Sequence, residues 1–90
     1  MKVLKIGAVW CSGCLVMRPR WKEIEQENPW LETQSFDYDA DHEAVATLVI
    51  DKERLPSFVF LDKNGTEFLR LNGEIPKDEL VETISKNRDR

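Results

Sequence analysis

Two cysteines three residues apart, Cys11 and Cys14, stand where a short apolar run gives way to helical periodicity. That junction constrains the chain more than any other feature in it. Val3 to Val9 is mostly apolar and rich in β-formers, as a largely buried strand is. After Trp10, Cys14, Met17, Trp21 and Ile24 recur three and four residues apart, and Asn28-Pro29 stops the run. Pro19 falls inside this helix, where its ring removes one hydrogen bond and bends the axis. A Cys-x-x-Cys at such a junction sets its first thiol at a helix N-terminus, where unpaired N–H groups and the helix dipole favour a thiolate. Cys14, one turn on, is close enough to bridge to Cys11. Ser12 and Gly13 are small and leave Cys11 uncovered, and Trp10 offers a flat apolar surface beside the pair.

Two other readings of this motif compete with redox chemistry. Half of a zinc site has the same spacing, but zinc takes four ligands and only His42 remains to join, so no metal is expected. An inert buried pair is at odds with a position just after a buried strand.

The rest of the chain completes an α/β order. Leu31 to Tyr38 reads as a second strand, and Asp39 or Asp41 caps a helix running to about Ile50, with Val45, Leu48 and Val49 inward. Ser57 to Leu61 is a third strand. Asp62-Lys63-Asn64-Gly65 is a hairpin turn, because Asn-Gly tolerates positive φ, and Thr66 to Leu71 is the antiparallel partner. Pro76 suits the first turn of a last helix with Leu80, Val81 and Ile84 as its apolar stripe. The order βαβαββα predicts a mixed four-stranded sheet flanked by helices on both faces, its first unit a parallel crossover.

Ninety residues without a linker or repeat make one domain, 1–90. A net charge of -4 argues against nucleic acid or an anionic membrane as the main partner. The apolar stretch in Met1 to Ile6 is too short for a signal peptide and is broken at Lys5, and no run is long enough to span a membrane. A cytoplasmic setting follows as the expectation, where paired cysteines are catalytic or metal-binding more often than structural. There is no Gly-x-Gly-x-x-Gly fingerprint, so no nicotinamide cofactor is expected and electrons come from a separate reductase. Trp21 and Trp30 read as packing residues, His42 as a helix-surface residue, and Glu23, Glu25 and Glu27 as a solvated helix face.

Trp10-Cys11-Ser12-Gly13-Cys14, Pro19, Leu55-Pro56-Ser57 and Lys63-Asn64-Gly65 together resemble the thioredoxin family in nearly its spacing. The resemblance covers almost the whole chain and lacks the leading strand and helix of a full-length member. It implies a minimal thioredoxin-like fold of glutaredoxin size, with a Cys-Ser-Gly-Cys site where the family carries Cys-Gly-Pro-Cys. It makes Cys11 the nucleophile, Cys14 the resolving thiol and Pro56 a cis-proline against the pair. It also implies that the Leu55 backbone pairs with an extended substrate segment beside Trp10, and that Gly73 keeps the groove open. The family's buried carboxylate on the first strand falls at Lys5, and its partner lysine near Ser35, so the usual proton shuttle is absent in its usual form. Lys5 either tunes the thiols or snorkels to solvent, with Asp37 and Tyr38 as weak substitutes.

The activity implied is reduction or exchange of disulfides in other proteins by a monomer with no cofactor. Two alternatives stand beside it. One is a non-catalytic binding module on the same fold. The other is glutaredoxin-like use of glutathione, which Ser12-Gly13 matches poorly.

Overall fold

A computed structural model describes residues 1–90 and turns these runs into one sheet with helices on either side. The elements are β1 (Lys2–Gly7), α1 (Ser12–Glu27), β2 (Glu32–Asp37), α2 (His42–Leu48), a 3₁₀ turn (Lys52–Arg54), β3 (Ser57–Leu61), β4 (Glu67–Asn72) and α3 (Lys77–Lys86). The strand order is β2-β1-β3-β4. β1 and β2 run parallel, with Lys5 opposite Ser35 and Gly7 opposite Asp37. β3 is antiparallel to both β1 and β4. The mixed four-stranded sheet expected from the sequence is therefore the one observed.

Side chains alternate across a strand, so β1 and β3 each feed two separate cores. Val3, Phe58 and Phe60 point to one face, where they meet Met17, Trp21 and Ile24 of α1 and Leu80 and Ile84 of α3. Trp21 and Phe58 pack with ring centroids 5.3 Å apart. Leu4, Ile6 and Val59 point to the other face and meet Val45 of α2. Burial of each large apolar side chain contributes about 1.5–3 kcal/mol. The same alternation puts Lys5 and Gly7, two and four residues after Val3, on the face that α1 covers, and that placement decides the site.

Three local expectations need correction. Val9 does not extend the buried strand: β1 ends at Gly7 and Val9 is exposed in the turn that follows. Parallel pairing with β2 ends at Gly7–Asp37, which leaves Val9 with no ladder partner. Val49 does not face inward either; it is the C-cap of α2, with φ 55, and its side chain is exposed. A left-handed C-cap satisfies the helix end here, although a β-branched residue takes that conformation at a cost. Arg70 of β4 answers the remaining carbonyls, donating 2.8 Å hydrogen bonds to Leu48 O and Val49 O while also binding Glu67. The hydrogen bonding to Glu67 raises the Arg70 pKa further above its ordinary value. In the hairpin turn Gly65 alone adopts positive φ, at 81, not Asn64. Asp62 Oδ1 instead organises the loop by accepting from the Asn64 and Thr66 N–H groups. No helix is long and apolar enough to cross a membrane.

Candidate active site

β1 delivers the chain to the end of the sheet at Gly7, and four residues, 8–11, lead into α1. Cys11 is the N-cap of α1, in extended conformation (φ -92, ψ 109), and its Sγ accepts the Cys14 N–H at 3.2 Å. A sulfur in that position takes up one of the N–H groups a helix start leaves unpaired. The Cys11 and Cys14 sulfurs are joined as a disulfide across a Cα–Cα distance of 5.4 Å. Cys11 is buried, at 7 % exposure, whereas Cys14 is half-buried, which reverses the expectation that small neighbours leave Cys11 uncovered. The reason is the capping geometry: the Cys11 side chain folds back over the first turn of α1 instead of standing into solvent.

Two glycines make this geometry fit. A Cβ on Gly7 would stand 2.9 Å from Cys14 Sγ, so the sulfur rests against bare strand backbone. A Cβ on Gly13 would stand 3.1 Å from Pro56 Cδ, which brings the loop before β3 directly against the Cys-Ser-Gly-Cys turn. The Leu55–Pro56 peptide bond is cis. Pro56 O accepts the Gly73 N–H at 2.7 Å, and Gly73 takes φ 85, a conformation glycine holds without strain. A Cβ on Gly73 would meet nothing within 4 Å, so within this chain the backbone angle, and not crowding, calls for glycine.

Trp10 is 48 % exposed at the edge of the pair. Its indole N–H donates to Asp39 Oδ2 at 2.8 Å, Tyr38 meets it edge-on at 6.2 Å, and Lys52 Nζ lies 5.4 Å from the ring centroid. Asp39 thus anchors Trp10 and does not cap α2; Asp41 takes the cap position and accepts from the Asp37 N–H at 2.7 Å. Asp37 holds the same turn by accepting from the Asp39 and Ala40 N–H groups.

Lys5 does not reach solvent. Its Nζ binds both carboxylate oxygens of Glu25 at 3.2 Å, with 18 % of the Lys5 side chain exposed. Thr33 Oγ1 donates to the same carboxylate. Glu25 therefore leaves the solvated face to which its neighbours belong, because it meets Lys5 of β1 from α1. Lys5, Gly7, Cys14, Trp21, Ser35 and Asp37 line one cavity of about 390 Å³ behind the disulfide. Trp21 is buried against it, and its indole N–H has no hydrogen-bond partner. His42 is exposed at the start of α2, and no three His, Cys, Asp or Glu side chains converge in a metal-binding arrangement.

Sequence reasoning missed Asp39, Glu25 and Glu74, the last of which lies against Gly13. Each meets its neighbour across the fold, and none has a local pattern to mark that contact. Only the i, i+4 relation of Glu25 to Trp21 on the inward side of α1 gave a signal, since it puts Glu25 beside the apolar stripe.

Comparison with known proteins fits this geometry. Thioredoxin H7 of Arabidopsis thaliana is 36% identical over 86 residues, spanning 96% of this chain and 64% of the relative. The chain thus covers somewhat less than two thirds of that relative's length. Among solved structures, Fasciola hepatica thioredoxin superposes with a TM-score of 0.85 at 31% identity, covering 96% of this chain and 79% of the other. The thioredoxin NaTrxh from Nicotiana alata also gives 0.85, at 27% identity and 96% and 71% coverage. The thioredoxin family model matches residues 1–86. With a four-stranded sheet and a Cys-x-x-Cys at the start of α1 to match, the chain belongs to the thioredoxin family.

Proposed function

We propose that this protein is a thiol–disulfide oxidoreductase that reduces or exchanges disulfides in other proteins through the Cys11/Cys14 dithiol. The observation that carries the reading is the Cys14 N–H donated to Cys11 Sγ at the α1 N-terminus. In the reduced protein the same donor and the helix dipole favour the thiolate form of Cys11.

The exchange balances in two steps. The Cys11 thiolate attacks one sulfur of a substrate disulfide, forming a mixed disulfide and releasing the other substrate sulfur as a thiolate. Cys14, deprotonated, then attacks Cys11 Sγ, which frees the second substrate thiolate and leaves the Cys11–Cys14 disulfide. Two electrons have passed to the substrate, and a separate reductase returns the dithiol. No cofactor enters either step. Trp10, Leu55, Pro56 and Gly73 form the substrate contact, with the substrate chain extended along the Leu55 backbone as an added strand. Lys5 acts on the thiols as half of the Lys5–Glu25 pair and not as a lone charge. The protein works as a monomer in the cytoplasm.

Reduction of insulin by dithiothreitol tests the activity. The protein is expected to accelerate insulin precipitation, and a Cys11→Ser variant is expected not to. Binding of disulfide proteins without acceleration would instead favour a recognition module.

A further inference from the structure

Glu74, in the loop between β4 and α3, is an exposed carboxylate that forms no ion pair, whereas Glu23 and Glu27 both pair with Lys77. Its side chain is not directed away from the protein. A Cβ on Gly13 would meet Glu74 Cγ at 3.5 Å and Oε1 at 3.9 Å, alongside Pro56 Cδ. The carboxylate therefore borders the turn between the two cysteines, on the side where Pro56 closes the groove. A Cβ on Gly13 would crowd Pro56 and would touch Glu74 at ordinary van der Waals distance, so Glu74 stands directly beside this turn. The opposite flank carries both signs: Asp39 holds the Trp10 indole and Lys52 lies over its ring. On the Gly13 flank the charged side chain beside the turn is Glu74, while the Arg20 guanidinium is engaged by Ile75 O one residue on.

We infer that Glu74 is a specificity-determining residue, favouring protein disulfides whose attacked cysteine is flanked by Lys or Arg over those flanked by Asp or Glu. The inference rests on the oxidoreductase reading above. A substrate chain passing Pro56 brings the residue next to its cysteine within reach of this carboxylate. A cation there gains an exposed ion pair, and an anion there is repelled. Exposed pairs of this kind are worth about two- to five-fold in a rate or equilibrium constant, and salt screens them.

The test uses three peptide disulfides that differ only in the residues flanking cysteine: Arg, Ser or Glu. Values of kcat/KM are divided by the uncatalysed rate with dithiothreitol, which removes the intrinsic reactivity of each peptide. The expected order for the unmodified protein is Arg above Ser above Glu, by about two- to five-fold per step at low salt, converging at high salt. Glu74→Gln should level the three, and Glu74→Lys should invert them. Equal rates for the three peptides, or an order that survives in Glu74→Gln, would overturn the role of Glu74 while leaving the oxidoreductase reading standing. Reduction of none of the peptides would sink that reading and this inference with it.

Discussion

A methyl group on Gly7 would stand 2.9 Å from the Cys14 sulfur, closer than real side-chain contacts come. Gly7 has no positive φ, so alanine fits its backbone and the cost falls on packing alone. Gly7→Ala is expected to destabilise the oxidised protein by about 1–3 kcal/mol, the usual range for overpacking. The reduced protein should lose less, because a free Cys14 side chain can rotate away from the strand. Urea unfolding of both redox states measures the difference, and equal losses would mean that Gly7 does not seat the Cys14 sulfur. At this scale the sequence was legible where chemistry is local. The Cys11–Cys14 bridge was read from the motif and the cis Leu55–Pro56 bond from the resemblance, and both are seen in the structure. The Asp39 contact was not legible, because an aspartate 29 residues from Trp10 meets the indole only when the fold closes.

Between elements, the Lys5–Glu25 pair ties β1 to α1 beneath the redox turn, and Lys5 lines the cavity that Cys14 also lines. Each charge screens the other, so removing one exposes its partner. Glu25→Gln leaves the ammonium uncompensated and should speed thiol labelling of the reduced protein at a given pH; Lys5→Met leaves the carboxylate and should slow it. Rates of iodoacetamide labelling against pH check both. If neither moves, the pair is a structural tie and does not tune the thiols. Strands and helices themselves were readable from apolar pattern: a continuous apolar run for β3, spacings of three and four for α1. Their ends were less readable, and Val9 and Val49 show why. Both are apolar β-formers, yet one lies past the end of strand pairing and the other closes a helix whose carbonyls Arg70 claims from β4. Hydrophobicity at an element's edge is outweighed by where the ladder or the helix must stop.

Across the whole molecule, the sheet and two cores hold the Cys-Ser-Gly-Cys turn, Pro56 and Gly73 at one end of the sheet. The architecture was legible because each apolar run had one consistent placement, and short connections left few ways to join them. The central claim is that this frame makes Cys11 the attacking sulfur and Cys14 the resolving one. Its most direct test is a Cys14→Ser variant, reduced, mixed with a disulfide-bonded protein and analysed by mass spectrometry after proteolysis. The account predicts a mixed disulfide that accumulates at Cys11, which the unmodified protein resolves within turnover and a Cys11→Ser variant does not form. A stable adduct on Cys14 in Cys11→Ser, with none on Cys11 in Cys14→Ser, would contradict it.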